Sequence, residues 1–205
     1  MKLFLASSLD KTISLLKERV GESVKRVVFV ANAADPCDEK WWVDLDRVAF
    51  KKFGFEIVET NLRELDKAQF EHKLKNADIL HFCGGSVFYL LSLLHQKDLR
   101  DLIISCVKNN KLIFTGTSAG SIIPSPALDL YKYDTEEGKF YKNEAESKGL
   151  DLVDFVILPH CNNQEMTENN KNVVEHAHEY PVPLLLLHDN QAVWLEDKKL
   201  ELLAL

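Results

Sequence analysis

The amino-acid sequence predicts an α/β protein: a mostly parallel sheet with helices on both faces and an antiparallel hairpin closing one edge. Short unbroken runs of Val, Ile, Leu and Phe recur along the chain, and segments of helical period separate them. A strand covered on both sides reads as such a run, because neither face meets water. The end of the chain is different. Ala192–Leu195, the charged turn Glu196-Asp197-Lys198-Lys199 and Leu200–Leu203 read as two antiparallel strands.

Taken in order, the predicted strands are Leu3–Ala6, Val27–Ala31, Phe55–Val58, Ile79–Phe82, Leu112–Thr115, Val153–Leu158 and Leu184–Leu187. The amphipathic segments between them are Lys11–Arg19, Trp42 to Phe53 closed by Gly54, Ala68–Leu74, Val87–Leu94, Leu99–Lys108 and Asn170–Glu179. Trp41 and Trp42 open the second of these as an interface anchor, a pocket wall or core packing, and core packing is the expected one of the three. The longest stretch without periodicity runs from Pro124 to Gly149, a lid or binding loop on one reading and a solvated excursion on the other. No repeat, low-complexity tract or linker divides the chain, so residues 1–205 are expected to form one domain.

Composition excludes several functions. With 25 Lys and Arg against 32 Asp and Glu, the net charge of −7 opposes nucleic-acid binding, which needs clustered cations. No stretch is apolar for long enough to span a bilayer. The opening Met1-Lys2-Leu3-Phe4-Leu5 is too short for a signal peptide and reads as a strand, so the cytoplasm is the expected location. Cys37, Cys83, Cys106 and Cys161 form no C-x-x-C pair, which favours a reducing compartment over a disulfide or zinc framework. No cofactor and no metal is expected. The expected partners are a small peptide substrate and, at most, a second copy of the chain in a homodimer.

The strongest chemical signal is Lys111-Leu-Ile-Phe-Thr-Gly-Thr-Ser-Ala-Gly-Ser121. An apolar strand runs into Gly116, Ser118 stands on the turn, and Ala119-Gly120 leads toward a helix, as in the G-x-S-x-G nucleophile elbow. Small neighbours are needed because the serine sits on a strained turn. That turn exposes the hydroxyl and aims the Ala119 N–H at the same point, beside a helix N-terminus. An idle serine on a tight turn gives the same pattern. The second signal is Cys83-Gly84-Gly85-Ser86, after the strand Ile79–Phe82; paired glycines let the backbone approach a ligand and free N–H groups for an anion. Gly84 and Gly85 are assigned to substrate and oxyanion binding, with Gly85 N–H as the second donor.

A serine hydroxyl needs a base, usually histidine. His72, His95, His176 and His178 fall on or beside predicted helices and read as surface residues, while His81 lies inside a strand and reads as a satisfied core residue. His160 follows the strand ending Ile157-Leu158-Pro159. His188 occupies a similar place, with Asp189 next to it. In open parallel sheets, sites form beyond the carboxyl ends of the strands. Gly85, Ser118, His160 and Asp189 each follow a different predicted strand, so four parallel strands would bring them to one rim. The resulting triad has Ser118 attacking, His160 moving the proton and Asp189 orienting the imidazole; Asp129, Asp134 and Asp154 are rival acids. The order Ser, His, Asp departs from the Ser, Asp, His of α/β-hydrolases.

These residues resemble the aspartyl dipeptidase and cyanophycinase family of serine peptidases. The matching pieces are Leu3–Ser7, Cys-Gly-Gly-Ser at 83–86, Gly-Thr-Ser-Ala-Gly-Ser at 116–121, Leu-Pro-His at 158–160 and Asp189 before Gln191-Ala192-Val193. The resemblance implies a three-layer fold like that of class I glutamine amidotransferases. It implies a short-peptide substrate, an acyl-enzyme on Ser118, His160 as base, and Asp189 where the dipeptidase has a Glu. Two departures stand out. Cys83 replaces the first of three family glycines, and Glu168-Asn169-Asn170-Lys171-Asn172 holds no Arg to pair with a substrate aspartate. Lys171 lacks the bidentate fork, so specificity for N-terminal aspartate is not expected. A hydrolase of another amide or ester, and a non-catalytic binding module, remain alternatives on the residues alone. Cys at the elbow would mark a glutamine-hydrolysing amidotransferase, and this chain has Ser118.

Overall fold

Successive side chains of a strand point to opposite faces of its sheet, and that alternation divides the core of this protein in two. The computed structural model describes residues 1–205. Its strands are β1 (Lys2–Ala6), β2 (Arg26–Val30), β3 (Glu56–Thr60), β4 (Ile79–Phe82), β5 (Ile113–Thr117), β6 (Val156–Leu158), β7 (Leu184–Leu186), β8 (Gln191–Glu196) and β9 (Lys199–Ala204). The helices are α1 (Leu9–Val20), α2 (Trp41–Lys52), α3 (Lys67–Leu74), α4 (Val87–Gln96), α5 (Arg100–Lys108), α6 (Ala119–Ile122) and α7 (Thr167–His176). Leu3 and Leu5 of β1, with Val28 and Val30 of β2, face a core filled by α3, α4, α5 and α7. Phe4 and Ala6, with Val27 and Phe29, face a smaller core under α1 and α2.

Seven strands form the main sheet in the order β3-β2-β4-β5-β1-β8-β9. The first five are parallel; β8 runs antiparallel to β1 and β9 antiparallel to β8. The hairpin therefore closes one edge, as the charged turn predicts. No helix is long and apolar enough to cross a membrane.

Two expectations about the second half of the chain need correction. The run Val153–Leu158 becomes a strand only from Val156, although Leu152, Val153 and Phe155 are buried. Together β6 and β7 pair only with each other, in a separate two-stranded parallel ribbon. An apolar run reports burial, not the partner that supplies its hydrogen bonds, so one continuous sheet was the wrong extrapolation. The irregular stretch from Pro124 to Gly149 is a pinned wall rather than a solvated excursion. It carries 3-10 turns at Asp129–Tyr133 and Glu137–Phe140 and buries Leu128, Leu130 and Tyr131. The Tyr131 hydroxyl donates to the Ile157 carbonyl, and the Arg100 guanidinium donates to the Gly149 carbonyl at 2.8 and 3.1 Å.

His81 is a satisfied core residue, fully buried on β4, with Nδ1 2.9 Å from Thr115 Oγ1 and Nε2 3.3 Å from Asp46 Oδ2. The tryptophans do not behave as expected. Trp41 is 59% exposed, and only Trp42 packs inward.

The short helix α6 lies unusually close to the sheet. A Cβ on Gly120 would stand 1.9 Å from the Phe82 carbonyl oxygen, and one on Gly116 2.1 Å from the Gly120 carbonyl oxygen. Both obstacles are backbone, which has little room to yield. Gly120→Ala is therefore expected to cost about 2 kcal/mol or more. Gly21→Ala meets no atom within 4 Å and only an unfavourable φ of 73°, so its expected cost is smaller, about 1 kcal/mol. Denaturant unfolding of the two variants gives the order directly; the reverse order would refute the close approach.

Candidate active site

Between β5 and α6 the chain must turn sharply, and Ser118 takes the strain. Its φ of 49° and ψ of −115° lie where L residues rarely sit. Hydrogen bonds hold it there: its N–H donates to the Ala6 carbonyl at 3.1 Å, and its carbonyl accepts from Ser121 N–H at 2.8 Å and Ser121 Oγ at 2.7 Å. The glycine turn after β4 presses against it. A Cβ on Gly84 would stand 3.2 Å from Ser118 Cβ, and Trp42 Nε1 fixes that turn by donating to the Gly84 carbonyl at 3.1 Å. Gly85 has φ 141° and passes so close to Ala33 that a Cβ would fall 2.2 Å from its carbonyl oxygen. The amides of Gly85 and Ala119 donate to no backbone carbonyl.

His160, just after β6, is also left-handed, with φ 61°. Its N–H donates to Ser7 Oγ at 2.8 Å, and its Nδ1 lies 2.6 Å from Asp189 Oδ1. Asp189, buried after β7, also accepts from Ser7 Oγ at 3.1 Å and Ser8 Oγ at 3.4 Å, and from Lys11 Nζ on its other oxygen at 3.2 Å. The hydrogen bond from His160 holds the Asp189 carboxyl well below the usual carboxylate range. The charges of His160 and Lys11 assist, and burial opposes.

Ser118, Ala119, Gly85 and His160 line one cavity of about 510 Å³. Trp42, Tyr131, Phe140 and Met166 supply much of its apolar wall. Ser118 Oγ and the His160 ring are not hydrogen-bonded to each other here. Such bonds often form only when substrate closes the site. The four strand-end residues do converge, though on two sheets rather than one rim: Gly85 and Ser118 leave the main sheet, His160 and Asp189 the small ribbon. None of the rival acids hydrogen-bonds to the His160 ring, which pairs with Asp189. Asp129 accepts from Ser147 and Tyr141, Asp134 caps the turn at Glu136 and Glu137, and Asp154 is exposed ahead of β6. His188 is exposed and takes no part in the cavity.

Several residues of the site escape the sequence. Ser7, Ser8 and Lys11 surround Asp189, and the strand-end rule applied to β1 points to the first two. Glu137 is buried at the cavity wall, where Oε1 accepts from Ser86 Oγ at 2.8 Å and Phe88 N–H at 2.7 Å. Burial pushes its carboxyl up to about 7, with those bonds opposing and the charge of Asp134 adding to the rise. Lys171 lies outside the cavity lining, between Glu168 at 3.8 Å and Glu175 at 3.9 Å.

A strained serine turn with two free amides, beside an imidazole held by a carboxylate, on a mostly parallel sheet: this is the architecture of a serine hydrolase. The model of peptidase family S51 matches residues 3–203, so the chain belongs to that family and is a serine-type peptidase. An uncharacterized peptidase of Pasteurella multocida (strain Pm70) is 28% identical over 200 residues, covering 96% of this chain and 94% of the relative. A peptidase E of Nostoc sp. is 30% identical over 156 residues, covering 76% and 60% of the two chains. The crystal structure of a candidate peptidase E from Listeria monocytogenes EGD-e superimposes with a TM-score of 0.88 at 26% identity, covering 100% of this chain and 98% of that one. The family resemblance read from the motifs therefore holds.

Two pH effects on stability follow. The depressed Asp189 value means that its contribution is full above the ordinary carboxylate pKa of 3.8 and is lost as pH falls below it. The stability gap between wild type and Asp189→Asn should shrink as pH falls below 3.8, as followed by urea unfolding. Glu137 works in the opposite sense. Between pH 4.5 and about 7 the unfolded chain has released this proton and the folded chain has kept it, so stability falls as pH rises. Glu137→Gln, which keeps an acceptor oxygen, should match wild type near pH 4.5 and gain on it by about 1–3 kcal/mol by pH 7.5.

Proposed function

We propose that this chain is a dipeptidase-like enzyme that cleaves short peptides through an acyl-enzyme on Ser118. In this reading His160 Nε2 takes the hydroxyl proton as Ser118 Oγ attacks the scissile carbonyl. Asp189 keeps Nδ1 protonated and stabilises the imidazolium. The Gly85 and Ala119 amides receive the oxyanion, and His160 returns the proton to the leaving amine. Water then attacks the ester, again with His160 as base.

One observation carries the reading: a strained serine turn and an Asp-held histidine, 42 positions apart, open on the same cavity. The support for short substrates is the wall at 124–149, which bounds that cavity, whose volume of about 510 Å³ suits a ligand of dipeptide size. The four cysteines are all free, which supports a reducing compartment such as the cytoplasm.

Ser118→Ala should fold normally and lose roughly 10⁴-fold or more in kcat/KM across a dipeptide panel. A fluorophosphonate probe should label wild type at Ser118 and leave the variant unlabelled. Unchanged turnover in the variant would eliminate Ser118 as nucleophile. Esters cleaved in preference to every dipeptide would move the substrate class to another carbonyl.

A further inference from the structure

The helix α2 is apolar on two opposite sides. Val43, Ala49 and Phe50 are buried on the inner side, in the core under α1 and α2. Trp41, Leu45 and Val48 point the other way and are 59%, 40% and 60% exposed. Their spacing, four residues and then three, sets them in one stripe along the helix. A surface helix ordinarily turns polar residues outward, and single exposed apolar residues need no explanation. Three in register form a patch, and patches of this kind mark contact surfaces.

The charges around the stripe identify what covers it. Lys51 and Lys52 stand exposed in the last turn of α2, and neither has an acidic partner within the chain. Asp38 and Glu39, exposed just ahead of the helix, have no cation. Asp44 is exposed in the first turn, where Arg47 takes its Oδ1. With about 100° of rotation per residue, Lys52 falls within the stripe, and Asp44 and Lys51 fall together on one flank of it. A two-fold interface must complement itself. An axis through the middle of the stripe, perpendicular to α2, lays the helix antiparallel on its own copy and keeps each flank on its own side. Asp44 then faces Lys51 of the partner subunit, and the Trp41 ring faces Lys52 of the partner subunit, each contact being made twice. Leu45 and Val48 meet around the axis. Parallel pairing would instead set like charges side by side.

We propose that the Trp41, Leu45 and Val48 face of α2 is the interface of a homodimer, covered by the same face of a second copy in antiparallel orientation. The interface borders the cavity. The Trp41 ring packs edge-on against Trp42 at 5.6 Å, and Trp42 and Asp38 both line the cavity. This inference does not rest on the peptidase reading, because it concerns assembly and not chemistry.

Sedimentation equilibrium of the full chain, from about 1 to 100 μM, tests it. Wild type should form a dimer, and Val48→Glu, a change at an exposed position, should be a folded monomer by circular dichroism and thermal unfolding. A charge swap tests the orientation. Asp44→Lys and Lys51→Glu should each weaken the dimer about tenfold or more, and the double variant should recover most of that loss. Arg47 keeps Glu59 as a partner in all of these. Wild type remaining monomeric throughout, or a dimer indifferent to Val48→Glu, would overturn the proposal. So would a double variant no better than the singles. A dimer lost in Leu202→Lys but not in Val48→Glu would place the contact on the exposed leucines of the edge strand β9, and refute the α2 interface.

Discussion

The carboxylate of Asp189 is where two separately hydrogen-bonded sheets are joined. Its oxygens gather His160 from the end of β6, Ser7 from the end of β1, and Ser8 and Lys11 from the start of α1. Ser7 contributes twice, donating to Asp189 and accepting the His160 N–H. The imidazole is therefore fixed at both its ring and its backbone. Without this junction the ribbon of β6 and β7 would have no polar tie to the main sheet at the point where the chemistry is proposed. The hydrogen bonds gathered on Asp189 outweigh the burial that opposes its charge, so the same contacts position the ring and stabilise the carboxylate.

The same economy appears around Ser118. Its unfavourable backbone angles persist because Ala6 and Ser121 hold the turn on both sides, and because three glycines allow α6 and the Gly84–Gly85 turn to pack without side chains between them. Gly84, Gly116 and Gly120 are spacers, each set against a neighbour that a methyl group would crowd. Only Gly85 is required by its own φ.

Much of this was legible in the sequence, because the signals were local. The parallel strands announced themselves as two-sided apolar runs, the elbow as small residues at fixed spacing, and His160 and Asp189 as polar residues directly after strands. What stayed hidden depended on pairing over distance. Nothing in Val153–Leu158 or Leu184–Leu187 says that these runs pair with each other and not with β1. Nothing in Ser7, Ser8 or Lys11 says that they surround a carboxylate near position 190. Glu137 was hidden for another reason. It lies in a charged, aperiodic stretch, where burial leaves no pattern. Trp41 was misread because one residue of an aromatic pair can face solvent while the other packs inward beside a cavity.

The division into two sheets has a mechanical consequence. Residues of a single sheet are held in register by backbone hydrogen bonds, so their separation is stiff. Ser118 and the His160–Asp189 pair are related instead by side-chain packing of α6 against β6, and by the polar junction at Ser7. Packing interfaces shear more readily than ladders do. The gap between hydroxyl and imidazole is thus a clearance set by how side chains nest between the two sheets, and not by a backbone ladder.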